Sequence, residues 1–170
     1  MKKMVWMAVL GLVTVSAQAN LLSNSGFETW WDSWSAWGNY TYNDSDSYMD
    51  NSGNLGGSMA GALENTSGNP FQWSGFWQNG DIASINPGDM FTASAYAKVD
   101  ASTAYSFAAV KLEFYNGGSL VTAVTNAFGA LSSEDWTYNE VTGTAPSGVD
   151  TLRIGIFVDN ITDAGDFYVD

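Results

Sequence analysis

The sequence contains no cysteine and no histidine. Without cysteine no disulfide can staple the fold, which stands on packing alone or on packing plus a metal. Ser-His-Asp and Cys-His triads and histidine-ligated zinc are excluded as well, because each needs one of the two missing side chains. Basic residues are scarce: five, against 18 acidic ones, give a formal net charge of −13. Lys2 and Lys3 stand at the extreme N-terminus, so only Lys98, Lys111 and Arg153 serve the rest of the chain. A surface of that sign repels phosphate backbones and anionic membranes, which removes nucleic acid and lipid surfaces from the expected partners. No sustained helical period and no long apolar run follow residue 19, so nothing there reads as a membrane-spanning helix.

What is present begins with a leader. Lys2 and Lys3 precede an apolar stretch from Met4 to Val13, and small and polar residues then end at Ala17-Gln18-Ala19. That three-part order is the pattern of a secretory signal peptide, and its apolar run falls short of the ~20 residues a spanning helix needs. Residues 1–19 are expected to be removed. Residues 20–170 then form a soluble product, secreted to the extracellular or periplasmic space, of a size for one domain.

Short alternating segments recur between clusters of Gly, Asn, Asp, Ser and Pro, which predicts an all-β chain. In Met90–Val99, Phe91, Ala93, Ala95, Ala97 and Val99 point one way, and Thr92, Ser94, Tyr96 and Lys98 the other. In Tyr105–Tyr115 the set Ala108, Val110, Leu112 and Phe114 opposes Phe107, Ala109, Lys111, Glu113 and Tyr115. In Leu152–Val158 the set Leu152, Ile154, Ile156 and Val158 opposes Arg153, Gly155 and Phe157. Each is a half-buried strand. Further strands are expected at Trp34–Tyr42, Ser58–Leu63, Phe71–Gln78, Leu120–Thr125, Trp136–Thr142 and Asp166–Val169, separated by turns at Asn86-Pro87-Gly88-Asp89, Asn116-Gly117-Gly118 and Ala145-Pro146-Ser147-Gly148. Strands in that number and at that spacing predict a two-sheet antiparallel β-sandwich or jelly roll. The stretch Asn43–Gly57, rich in Asn, Asp, Ser and Gly, reads as a long surface loop.

Aromatic residues are the informative excess, at 15% of the chain. Beyond the leader they include Trp30, Trp31, Trp34, Trp37, Trp73, Trp77 and Trp136, more tryptophan than one small core absorbs. Sugar rings present apolar C–H faces that a flat aromatic plane covers, while amides and carboxylates take the hydroxyls. Trp34, Trp37 and Trp136 sit at apolar strand starts and read as core. Trp73 and Trp77 share one face of their strand, with Phe76 on the other, and divide evenly between core and binding. Tyr96, Lys111 and Tyr115 lie on wet faces and join them as candidate ligand-binding residues. Asp44, Asp46 and Asp50 with Asn43 and Asn51 offer oxygens for calcium, but their order does not match an EF-hand loop, and a solvated loop explains them. Asn-x-Ser/Thr sequons at Asn39, Asn43, Asn65 and Asn160 are expected by chance in so Asn-, Ser- and Thr-rich a chain.

At Asn20-Leu21-Leu22-Ser23-Asn24-Ser25-Gly26-Phe27-Glu28 the chain resembles the opening N-L-x-x-N-x-G-F-E of carbohydrate-binding modules of the CenC type, families 4, 9, 16 and 22. Later landmarks are similar to theirs in the same order: Trp34-Ser35-Ala36-Trp37-Gly38, the run from Pro87-Gly88-Asp89 to Lys98, Trp136-Thr137 leading to Ala145-Pro146, and Asp166-Phe167-Tyr168-Val169-Asp170. The resemblance implies a galactose-binding-like jelly roll, non-catalytic, with a glycan groove on the concave sheet and a structural calcium. The positions matching the family's calcium neighbourhood are Glu28 and Asp170. Family members are usually appended to a glycosidase, so a monomer or an appended module is implied.

The function expected from these readings is a secreted, non-catalytic module that docks on polysaccharide by aromatic stacking, with Trp73, Trp77, Tyr96, Lys111 and Tyr115 as ligand-binding residues. Two alternatives stand beside it. One is a small jelly-roll lyase or hydrolase, which needs an acid-base set drawn from Tyr96, Lys111 or Glu113. The other is a structural or adhesive β-sandwich without a sugar site.

Overall fold

The computed structural model describes residues 21–23, 25–26, 33–38, 45–50, 60–65, 73–161 and 166–170, with the backbone alone at 36–38, 45–50, 64–65 and 73. The leader at residues 1–19, Trp30, Trp31 and Glu28 therefore lie outside the described residues. Ten strands are present among those described: β1 (Ser35–Gly38), β2 (Ser45–Asp50), β3 (Ala60–Asn65), β4 (Trp73–Asn79), β5 (Met90–Val99), β6 (Phe107–Asn116), β7 (Ser119–Ala127), β8 (Thr137–Thr144), β9 (Thr151–Asp159) and β10 (Asp166–Val169). They form two five-stranded sheets, ordered β1-β4-β9-β6-β7 and β2-β3-β10-β5-β8. Every pairing is antiparallel. The all-β sandwich expected from the alternation is what the chain adopts.

Between the sheets lies one apolar core. The first sheet supplies Phe76 from β4, Leu152, Ile154, Ile156 and Val158 from β9, and Val110, Leu112 and Phe114 from β6. From the second come Ala93, Ala95, Ala97 and Val99 of β5, Leu63 of β3 and Phe167 and Val169 of β10. Side chains are large on β6 and small on β5, and such complementarity lets two inner faces reach native packing density. Trp34 is buried in this core, as expected. The N-terminal segment is tied on by Gln78, whose amide donates to the Ser23 carbonyl at 3.0 Å, and by the Asp81 N–H bonded to the Leu21 carbonyl.

One expectation is overturned here. The interval Asn43–Gly57 is not all loop: Ser45–Asp50 forms β2, in register with β3 from Ser45 opposite Asn65 to Asp50 opposite Ala60. As an edge strand it needs only backbone hydrogen bonds from its one neighbour, so its polar composition resembles a loop. Charge on such an edge also discourages pairing with other chains.

The open sides of the sandwich are closed locally. Edge strands β7 and β8, one from each sheet, are latched where the Asn126 amide donates to Asn139 Oδ1 and to the Glu140 carbonyl, both at 2.8 Å, while Asn139 returns a bond to the Asn126 carbonyl. The β6–β7 hairpin turns on Gly117 and Gly118, both at positive φ (54° and 82°), as a two-residue turn of the type whose twist matches antiparallel strands requires. Its Gly117 N–H is held by Asp150 Oδ2 at 2.7 Å, and Thr151 donates its hydroxyl to Asp150 Oδ1.

Those donors, the Gly117 N–H first and the Thr151 hydroxyl second, hold the Asp150 carboxyl below its usual pKa. A depressed folded-state pKa contributes stability that is present above the ordinary carboxylate value and disappears as pH falls through the depressed one. Asp150→Ala is thus expected to lower the thermal midpoint near neutral pH and to match the parent around pH 2. Midpoints that differ equally at both pH values would remove the charge from the explanation.

Candidate functional site

Because Leu152, Ile154, Ile156 and Val158 turn inward, Arg153, Gly155 and Phe157 occupy the outer face of the first sheet. Pairing with β4 sets Asn79 opposite Arg153, Trp77 opposite Gly155, Gly75 opposite Phe157 and Trp73 opposite Asp159. On the other flank, β6 sets Tyr115 opposite Thr151, Glu113 opposite Arg153, Lys111 opposite Gly155, Ala109 opposite Phe157 and Phe107 opposite Asp159. The eight residue steps from Thr151 to Asp159 make a strip about 26 Å long at the usual strand rise.

At one end of this strip the Arg153 guanidinium lies between two rings, 4.0 Å from the Trp77 centroid and 4.5 Å from that of Tyr115. Arg153 Nη1 donates to the Tyr115 hydroxyl at 3.0 Å and Nε to Asn79 Oδ1 at 3.5 Å. The Tyr115 hydroxyl donates onward to Glu113 Oε2 at 2.8 Å. Glu113 is also paired with Lys111 on the same strand and lies 3.8 Å from Arg153 Nη1. Three polar side chains thus converge on one carboxylate, and both charged ends rest on aromatic planes. Cation–π contacts of this kind contribute about 0.5–1 kcal/mol each when partly exposed.

Towards the other end, Lys111 Nζ stands 5.9 Å from the Phe157 ring centroid, and Phe157 packs on Phe107 at 5.6 Å. Phe157 is flanked across the sheet by Gly75 and Ala109, which are too small to wall it in. Gly75 is required there: a Cβ on it would lie 2.5 Å from the Ile156 carbonyl oxygen and 2.9 Å from Phe157 Cβ.

The Tyr115 phenol is pushed above its ordinary pKa by burial, and by the hydrogen bond to Glu113 and that residue's charge, with Arg153 opposing. It remains a protonated donor and is a poor proton acceptor at neutral pH.

Of the expected ligand-binding residues, the structure brings together Trp77, Lys111 and Tyr115. Trp73 is in register on the same sheet, opposite Asp159. Tyr96 is separated from them. It lies on the outer face of the second sheet, packed on Tyr138 at 5.1 Å between ring centroids. Trp136, expected in the core, also belongs to that outer face. It is partly exposed beneath Lys98, whose Nζ sits 5.2 Å from its centroid and 5.3 Å from that of Tyr168. Arg153, Phe157 and Phe107 were not among the candidates, although the alternation of their strands already assigned them to wet faces. As to metal, Asp170 exchanges backbone hydrogen bonds with Tyr96. Among the described residues no group of three or more Asp or Glu is arranged to hold an ion.

This sandwich is the fold of several solved carbohydrate-binding modules. The module titled Family 16 Carbohydrate Binding Module-2 superposes with a TM-score of 0.63 at 21% identity, over 89% of this chain and 96% of that one. The CBM22-1 xylan-binding domain of Paenibacillus barcinonensis Xyn10C superposes at 0.58 and 18% identity, over 91% and 94%. The enzymatically active domain of tailspike protein 4 from bacteriophage CBA120 superposes at 0.64 and 18%, over 88% of this chain, which spans only 20% of that one. Comparison with curated proteins gives no match. The family described as Carbohydrate binding domain (CBM_4_9) matches residues 19–163, and the chain belongs to it.

The close approach at Gly75 generates a test of the site's geometry. Gly75→Ala must push β4 off β9 beneath Phe157, and a loss of about 1–3 kcal/mol in denaturant unfolding is expected. An unchanged midpoint would mean that the two strands are not held at this distance.

Proposed function

We propose that this protein is a secreted, non-catalytic module that binds polysaccharide along the outer face of the β1-β4-β9-β6-β7 sheet. The observation that carries the reading is the Trp77–Arg153–Tyr115 stack, continued by Phe157 and Phe107 along the same strip. Its rings are fixed by cations and hydrogen bonds before any ligand arrives, so little side-chain entropy is lost on binding. Membership in a carbohydrate-binding family and the likeness to modules titled as xylan-binding support the same ligand class. Aromatic planes would take sugar faces, and Asn79, Lys111 and the Arg153 guanidinium would take ring hydroxyls. The leader-like residues 1–19 support export.

A lyase or hydrolase on this face is less well served. Glu113, Lys111 and Tyr115 do cluster, but the acid already accepts from Tyr115 and is ion-paired with Lys111 and Arg153, and the phenol is held protonated. Calcium remains a proposal that the family resemblance makes for Glu28 and Asp170, in a structural role.

Trp77→Ala tests the reading. Removing one ring of the stack is expected to weaken polysaccharide binding about tenfold or more, by the cost of losing a base-sized stacking plane. The thermal midpoint should move only slightly, and neither form should release reducing ends. Affinity that survives the substitution unchanged would take the stack out of the binding site, and product release would replace the module with an enzyme.

A further inference from the structure

The charge on this face is distributed in a way that names its ligand more closely. Beyond Lys3 the chain has three basic side chains, Lys98, Lys111 and Arg153. Lys98 is taken by Trp136 and Tyr168 on the second sheet. Both others stand within one strip of the first sheet, around Glu113. The three differ in accessibility: the Glu113 side chain is 12% exposed, whereas Lys111 and Arg153 keep 26% and 28%. The anion is covered and the cations face outward. Two positive charges against one covered negative leave a unit of positive charge in excess where a ligand would touch.

Among the strands of the first sheet, Asp159 is the one other acid, six residues along β9 from Arg153 and four from Gly155, the residue opposite Lys111, or about 20 and 13 Å by strand rise. Both exceed the screening length of about 8–10 Å at physiological salt. Asp150 turns to the β6–β7 hairpin, where its two oxygens accept from the Gly117 N–H and the Thr151 hydroxyl. The strands of the second sheet, in contrast, carry Asp46, Asp50, Glu64, Glu140 and Asp166. An acidic protein has thus kept two of its few cations on the one aromatic strip.

Arg153 also has a free edge. Its Nε and Nη1 are bonded to Asn79 and Tyr115, and among the described residues none accepts from Nη2. A guanidinium packed between two rings, with Nη2 open, presents a positioned, charged donor to an anionic oxygen.

We propose, resting on the reading that this face binds polysaccharide, that its ligand is acidic: a polymer containing hexuronate residues. In this assignment a uronate carboxylate pairs with the open edge of Arg153 and with Lys111, while neighbouring sugar faces lie on Phe157 and Phe107. A sulfate ester offers related anionic oxygens in a tetrahedral rather than planar arrangement, and the test separates the two.

Calorimetric titration of the protein with polygalacturonate and polymannuronate, with the same polymers after carboxyl reduction, and with a sulfated galactan decides the matter. The uronates are expected to bind about tenfold or more tighter than their reduced forms at low salt, the gap narrowing as added salt screens the pair. Lys111→Gln and Arg153→Gln are each expected to shrink that gap, weakening uronate binding by a larger factor than binding to the reduced polymer. Because Arg153→Gln also disturbs the stack, Lys111→Gln is the cleaner variant. Reduced polymers bound as tightly as the uronates would overturn the acidic assignment and leave polysaccharide binding standing. Preference for the sulfated galactan over both uronates would overturn the carboxylate. Failure of every polymer to bind would overturn both this proposal and the reading beneath it.

Discussion

With no cysteine to hold it, the sandwich depends on the burial of two alternating apolar faces, and most visibly on β9. That strand lies inside its sheet, paired on both sides, and it sends Leu152, Ile154, Ile156 and Val158 into the core. Burying four such side chains contributes on the order of 1.5–3 kcal/mol each, whereas a slip of one residue would expose them all and drive Arg153 inward unpaired. Register is therefore not negotiable. The outer face inherits its order from this choice, because fixing Ile154 and Ile156 inside also fixes Arg153, Gly155 and Phe157 outside. The aromatic strip is a by-product of core burial that the sequence has furnished with rings and cations.

Alternation is a property of one strand, and it was legible wherever a strand was long and half-buried. In β5, β6 and β9 the inward and outward sets follow the sequence reading apart from Ala109 and Gly155, small outward-set residues that are nonetheless buried, and Phe91, which is only partly buried, and Phe76 lies opposite in sense to Trp77 as expected. Turn chemistry was equally legible at Gly117-Gly118. What alternation does not carry is which strands become neighbours. The order β4-β9-β6 joins residues from 77, 115 and 153, and only that order places Arg153 between Trp77 and Tyr115. Tyr96 shares the wet-face signature of Tyr115 but lies on the other sheet, so the two were grouped for a reason that was true of each and false of the pair. Strand β2 escaped notice because an edge strand with polar side chains has the composition of a loop, and its pairing with β3 lives in backbone hydrogen bonds that composition does not record. Trp136 was misplaced for a related reason. It is partly exposed on the outer face, where the Lys98 ammonium stands over its ring, and not in the core.

The described cations share one feature that bears on how a protein this acidic is organised. Lys98, Lys111 and Arg153 all lie over aromatic rings, five contacts in total, so none is spread over the general surface as a solubilising charge. Solubility falls to the acids. The cations are then free to stiffen aromatic clusters, and a ring with a cation across its face has fewer rotamers to lose than a ring standing alone.

The two outer faces use that stiffening to different ends. On the second sheet Lys98 is the one cation among several acids, and it sits across both Trp136 and Tyr168, the latter almost wholly buried with its hydroxyl bonded to Asp166. The cation closes that cluster. On the first sheet the anion is the closed member: Glu113 gathers Tyr115, Lys111 and Arg153 beneath the surface, and its partners keep their outward edges. A carboxylate placed inside a cationic cluster lowers the cost of holding two positive groups side by side, which would otherwise repel by about 1 kcal/mol even in water at contact distance. It does so from beneath, because it is the least exposed of the three. The same three charges with the carboxylate outermost would have made a site for hydroxyl-rich or cationic ligands. Burial order, more than net charge, decides which charge this face presents outward.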